Sequence, residues 1–353
     1  MKERAQQLKE ETKRHRSVMH EYAEVGLELP KTMTYIEKAL SLCGIKPIRC
    51  GHGIKAEIGC GEPIILLRAD ADALPNGHTC GHDCHAAMLL TAAKLLKERE
   101  SELHGTVRLM FQPAEESLLG AQDMIEKGIL EPPPQAALAF HTAAGRLPVG
   151  MALCGTDGAM MQSADNFTIT LHGKGGHGAY SGQTADPIKM AVEIYTALPE
   201  FSFGVLQAGT VGNVIPDTAI MKGSLRTEAD RQDLLDKLER TVYDTAEKNG
   251  GKASIEYTGA APTLVCDKRI SAQMSKYLKQ LHFVVKDGVK ARASEDFSYI
   301  AQEIPSAYFY LTCGFSDERG EHLAHDPLVE FDEEVLPLGA AAYAHCAASY
   351  LKK

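Results

Sequence analysis

The 353-residue sequence has no excess of positive charge. Its 37 Lys and Arg are outnumbered by 47 Asp and Glu, a formal net charge of -10. That argues against nucleic acid or an anionic membrane as partner, because both select basic surfaces. No apolar run approaches a bilayer span, and the first residues, MKERAQQLKEETKRHR, lack the apolar core of a signal peptide. Paired CxxC motifs are absent too. The nine cysteines are scattered, odd in number and mostly set among apolar residues. This disfavours a disulfide framework and a cysteine-rich structural zinc site. Internal repeats, low-complexity tracts and coiled-coil patterns are also missing. These absences predict a soluble cytoplasmic protein. With 24% charged and 44% hydrophobic residues the composition is that of an ordinary globular chain, long enough for two domains.

The pattern of elements changes style along the chain. Residues Glu3 to Glu24 and Pro30 to Leu42 read as helices, Ile54–Ile58 and Ile64–Ala69 as strands. Ala86 to Lys97 reads as a largely buried helix, apolar on most sides. Strands at Thr106–Phe111 and Ala136–His141 flank a helix at Gly120–Lys127. Strands alternating with helices predict an α/β fold around a mostly parallel sheet. Between residues 165 and 262 the order becomes β-α-β-β-α-β: Asn166–His172, Asp186–Leu198, Phe203–Val211, Ala219–Arg226, Asp230–Lys248, Lys252–Tyr257. That is the pattern of a small ferredoxin-like domain. The remainder returns to α/β style, with a helix near Ile270–Leu281, a strand near Ala307–Leu311 and a final helix from about Glu333. The expected division is a discontinuous main domain, 1–164 and 263–353, interrupted by an inserted domain, 165–262.

Chemistry concentrates after the apolar strand Ile64–Leu67. It opens into a loop holding Asp70, Asp72, His78, Cys80, His82, Asp83, Cys84 and His85, dense in the donors a transition metal takes. Cys80 and His82, two apart around Gly81, can face one point. The aspartates suit the role of partners that fix imidazole tautomers. A second segment, FQPAEE, ends a strand with Glu115 and Glu116. Adjacent carboxylates cannot meet one atom with the same geometry, so one can hold a metal while the other moves protons. His141 follows a strand, and His325 or His322 adds a further imidazole. In the inserted domain GKGGHG offers His177 on a glycine-rich turn. It lacks the GK[ST] ending of a phosphate loop, and an imidazole there suits a developing oxyanion. Asn213 and Arg226 stand near strand ends, and an Arg there suits a carboxylate.

These motifs taken in order, RADADALP with CGHDCH, FQPAEE, AFHT, GKGGHGAY, NVIPD, GSLRT, SEDF and AHDP, resemble the aminoacylase–carboxypeptidase family of metal-dependent amidohydrolases. The likeness runs over nearly the whole chain. The subgroup is that of hippurate hydrolases, N-acyl-amino-acid amidohydrolases and auxin-conjugate hydrolases. The resemblance implies a metallo-exopeptidase-like catalytic domain with an inserted lid through which relatives often dimerise. It implies two divalent ions per chain, of Zn, Mn, Co or Ni, held by Cys80, His82, Glu116, His141 and His325. Glu115 matches the general base, and His325 is preferred over His322. His177, Asn213 and Arg226 match groups that polarise the scissile carbonyl and hold the substrate carboxylate; in a lid dimer His177 would serve the neighbouring subunit.

The implied reaction is hydrolysis of an N-acyl amino acid to an acid and an amino acid. A dipeptidase or carboxypeptidase, and a non-catalytic metal-binding regulatory protein, are the alternatives. The chain departs from the pattern between ALP and CGHD. Only Asn76-Gly77-His78-Thr79 stands where the resemblance implies about fifteen residues more. The shortened segment predicts a wider mouth that accepts bulky or aromatic acyl groups.

Overall fold

Every residue of the strand Ile64–Asp70 is buried, as a continuous apolar run inside a parallel sheet requires. The computed structural model describes residues 1–155, 158–228 and 230–352. They form two units, Met1–Met160 with Leu264–Ala291 and Glu295–Lys353, and Met161–Thr263 with Arg292–Ser294.

The first unit is built on an eight-stranded mixed sheet. Its order is Pro47–Cys50, Gly53–Gly59, Thr106–Gln112, Ile64–Asp70, Ala136–Pro148, Ser306–Gly314, Met151–Cys154 and Val284–Lys286. The four central strands run parallel, and antiparallel pairs flank them on both sides. Parallel neighbours carry their C-terminal ends to one edge, where open α/β sheets place their sites. Asp70 and Gln112 stand at such ends, and His141 lies level with them inside the longer strand Ala136–Pro148.

Across the sheet lies the helix His82–Lys97, with fourteen of its sixteen residues buried. Its Ala, Leu and Met content favours the helix, and it is buried all round because the helices Lys9–Tyr22 and Val335–Tyr350 pack against it. The contact with the C-terminal helix depends on Gly339. A Cβ there would fall 2.0 Å from Met88 Sδ, closer than atoms can approach. The helix begins four residues before the apolar run announces it. His82, Asp83, Cys84 and His85 belong to its first turn rather than to the preceding loop. Gly81 sets that boundary, with φ of +86° and a position where a Cβ would meet Thr142 Oγ1 at 2.3 Å. The first expected helix is also two, Lys2–Gln7 and Lys9–Tyr22.

The second unit has a four-stranded antiparallel sheet in the order Ser202–Ala208, Thr218–Thr227, Ser163–His172, Lys252–Ala261. The helices Pro187–Ala197 and Arg231–Lys248 pack together beside it. This is the ferredoxin-like β-α-β-β-α-β arrangement. Asp186 and Asp230 cap the two helices, each accepting from two backbone N–H groups of the first turn. Leu235, Leu238, Val242 and Ala246, spaced three and four apart, bury one face of the second helix.

Candidate metal centre

The turn that ends at Gly81 and the start of the long helix bring Cys80 and His82 to the sheet's C-terminal edge. The Cys80 Sγ lies 3.5 Å from His141 Nε2. His141 donates from Nδ1 to the Thr142 carbonyl at 2.7 Å, which leaves Nε2 as the acceptor facing the Cys80 thiol. His82 Nδ1 pairs with Asp72 Oδ1 at 3.3 Å, so its Nε2 points the other way. That atom lies 3.7 Å from Glu116 Oε1 and 3.8 Å from Glu115 Oε2. His325 Nε2 lies 3.5 Å from Glu116 Oε1. The donor atoms fall into overlapping groups, Cys80–His82–His141, Cys80–Glu116–His325 and His82–Glu115–Glu116, each mutually within 4.8 Å.

Two observations say that this donor set fits metal. His82 Nε2 and Glu116 Oε1 are buried and make no hydrogen bond within the protein, and facing each other across 3.7 Å they are two acceptors that a shared ion would satisfy. The spacing is also right. Ligands at about 2.0–2.3 Å on a tetrahedral ion lie about 3.3–3.8 Å from one another, the range found here.

The surroundings fix the ligands. Asp72 spans two of them, holding the His82 ring with Oδ1 and accepting the Glu116 backbone N–H with Oδ2 at 3.1 Å. Glu115 and Glu116 sit in a tight turn after the strand Thr106–Gln112, entered through Ala114 at φ +54°, a strained conformation of the kind found at functional sites. Burial, then the nearby Glu295, pushes Glu115 well above the ordinary carboxylate range. Burial also raises Glu116 and the Cys80 thiol. Burial, then the adjacent His85, holds His141 well below its usual value, and so in the neutral form that ligates.

His85, in the same CGHDCH run, is fully engaged elsewhere. Its Nδ1 is hydrogen-bonded to Asp70, and its Nε2 accepts from the Thr142 N–H at 2.7 Å. His78 is turned away, its Nε2 against the Met19 carbonyl at 3.1 Å.

A buried charge network beneath Glu115 carried no role in the sequence reading. Arg68 donates to Asp70 at 2.6 Å, Glu295 at 2.8 Å, Asp296 at 3.0 Å and Gln112 at 2.9 Å. Oxygens of Glu115, Glu295 and Asp296 come within 4.8 Å of one another. Burial pushes the Asp296 carboxyl up to about 8 against the pull of Arg68, with Glu295 adding to the rise. An arginine inside an otherwise apolar strand was the available signal, since such a charge demands buried partners.

In the second unit, Gly176–His177 pairs with Val214–Ile215, and the Gly178 N–H donates to the Asn213 carbonyl at 2.9 Å. The structure therefore brings His177 and Asn213 to one short two-stranded ribbon. Arg226 lies near the end of Thr218–Thr227, its Nη1 3.0 Å from Ser294 Oγ.

A donor set of thiol, imidazole and carboxylate beside a buried glutamate, at the strand ends of a mixed α/β sheet, defines a metal-dependent hydrolase. Residues 66–349 match peptidase family M20/M25/M40, and the chain belongs to that family. It is similar to the IAA-amino acid hydrolase ILR1-like 2 of Arabidopsis thaliana, 35% identical over 96% of this chain and 84% of that one. It is similar to the N-acetyl-L-cysteine deacetylase of Bacillus subtilis, 32% identical over 90% and 83%. Among solved structures, the YXEP protein of Bacillus subtilis, described as a dinuclear metal binding peptidase from the M20 family, superposes with a TM-score of 0.80. It is 30% identical and covers 98% of this chain and 99% of its own. The protein is a metal-dependent amidohydrolase of this family. Among the described residues, no helix is long and apolar enough to cross a membrane.

Proposed function

We propose that the protein hydrolyses the amide bond of N-acyl amino acids, releasing an acid and a free amino acid, with two divalent ions held by Cys80, His82, Glu116, His141 and His325. The observation that carries this reading is the orphaned pair His82 Nε2 and Glu116 Oε1 beside the buried Glu115. When bound, the ions lower the pKa of a water and polarise the scissile carbonyl. The remaining work falls to the chain. Glu115, its basicity raised by burial, takes a proton from the attacking water and passes it to the departing amine nitrogen. Asp72 keeps His82 and Glu116 in place through both transfers. His177 and Asn213 act as the groups that polarise the carbonyl oxygen, and Arg226 as the partner of the substrate's α-carboxylate.

The named activities of the plant and bacterial relatives, on IAA–amino acid and on N-acetyl-L-cysteine, support an acyl group on one side of the bond and an amino acid on the other. The loop carrying His325 also presents Leu323 and Leu328, 62% and 65% exposed, apolar surface suited to an acyl group. A homodimer through the inserted unit belongs to the same reading. Its strand Ser202–Ala208 is an open sheet edge with Val205 and Leu206 exposed, and Val192 and Tyr195 are exposed on the helix Pro187–Ala197. Unpaired apolar edges of this kind are normally covered.

A panel of N-acetyl, N-benzoyl and indole-acetyl amino acids beside dipeptides, assayed for released amino acid, tests the substrate class. Turnover of acylated amino acids well above dipeptides is expected. The reverse order would make the protein a peptidase.

A further inference from the structure

The segment between Ala73 and Cys80 is a turn fastened to the loop that carries His325. Leu74 and Gly77 exchange backbone hydrogen bonds, 3.1 Å and 2.9 Å, and close Pro75-Asn76 between them. The Asn76 Nδ2 donates to the His325 carbonyl at 3.1 Å. The Asn76 Oδ1 accepts from Thr79 Oγ1 at 3.0 Å, which fixes which end of the amide faces His325. The His325 N–H donates in turn to the Thr79 carbonyl at 2.9 Å. Both backbone polar groups of His325 therefore end on this one turn.

His325 needs such a tether. Its φ is +75°, a region that residues other than glycine avoid and occupy only when their surroundings over-determine it. Packing does not supply the constraint, because its side chain is more than half exposed. The contrast with the other donors is direct. Cys80 and His82 are buried at a helix start, and His141 lies in a central strand. His325 alone among the imidazole donors rides on an exposed loop.

We infer that Asn76 is a positioning residue for His325, acting with Thr79. The shortened turn is the device that holds this imidazole against Glu116. The inference rests on the two-ion reading given above. Partners that orient a ligand typically set metal affinity by about 10–100-fold when removed. The effect here is confined to the ion that His325 helps to hold, because Asn76 touches no other donor's backbone.

The test is titration of metal-free protein with Co(II), followed by calorimetry and by visible absorption, which reports ligation independently of turnover. The wild type is expected to bind two equivalents. Asn76→Ala is expected to weaken one of them about 10–100-fold and leave the other within about twofold. Thr79→Val, which frees the Asn76 amide to rotate, should shift the same site in the same direction. Thr79→Ser, which keeps the hydroxyl, should restore wild-type affinity. Two sites unchanged in Asn76→Ala, or both weakened equally with a matching loss of Tm in the metal-free protein, would overturn the inference and leave the two-ion reading standing. A wild type that binds a single equivalent, indifferent to His325→Ala, would overturn both.

Discussion

The Thr142 N–H donates to His85 Nε2 at 2.7 Å. With Nδ1 committed to Asp70, this ring has no free nitrogen. These two bonds tie the ring to Asp70 and to the strand segment that carries His141. On the proposed two-ion reading, His85→Asn is expected to leave the metal content unchanged and His82→Asn to lower it by at least one ion. Elemental analysis of the two purified variants checks this; equal losses would put His85 among the ligands.

The proposed function gives the neighbours Glu115 and Glu116 different duties. Glu115→Gln should leave metal content unchanged and cut kcat by about 10²–10⁴-fold, the usual contribution of a general base. Glu116→Gln should instead weaken metal binding. Small and equal effects from both changes would show that the carboxylates do not divide the labour.

Arg226 donates to Ser294 and is exposed, and the proposed function makes it the partner of the substrate carboxylate. Arg226→Ala should raise KM for free acids far more than for the corresponding amides. If amidated substrates suffer as much, Arg226 has a structural role.

Stability should fall on both sides of neutral pH for a named reason. Asp83 is fully buried, and although burial opposes its charge, His20 and Arg16 hold it well below the ordinary carboxylate range. A depressed acid stabilises the fold above its unfolded value, about 3.9. That contribution disappears as pH drops through the folded value. His20 is raised, first by its hydrogen bond to Asp83. It stabilises fully below about pH 6.5 and progressively less as pH rises through its folded value. His20→Gln should flatten the alkaline limb of the Tm profile in metal-free protein and, because the His20 charge helps depress Asp83, move the acid limb toward higher pH. Arg16→Met should cost about 1–3 kcal/mol near neutrality, the penalty for depriving a buried acceptor of a partner. Profiles of wild type and His20→Gln that run parallel from pH 5 to 9 would refute the assignment.

Acyl preference follows from the short turn at Pro75-Asn76 and the exposed Leu323 and Leu328. Along acetyl, benzoyl and indole-acetyl derivatives of one amino acid, kcat/KM should rise or hold. A steady fall with acyl size would contradict the open-mouth account without touching the reaction class.

Much of this was legible in the sequence where one segment determines its own structure. The helix opened by Pro30 runs to Leu42, and the strand Thr106–Gln112 stands one residue longer than its apolar pattern. The split β-α-β-β-α-β order survives in the second unit because each element has its own period. Reading failed where the determinant was distant or backbone-borne. His82 to His85 are polar and looked like loop, yet Gly81 starts the helix before them. The edge strand Pro47–Cys50 is too short to show a period. Arg68 finds Glu295 and Asp296 more than two hundred residues away, and nothing local announces the pairing. The tie from Asn76 to His325 spans a similar distance.

The account turns on metal-supported amide hydrolysis. The most direct measurement is therefore metal content against turnover of an N-acyl amino acid, in one preparation before chelation, after chelation and after returning a divalent ion. The account predicts two equivalents in the active protein, loss of amino acid release as they are removed, and recovery as they return. Turnover that persists in protein shown by elemental analysis to hold no metal would contradict it.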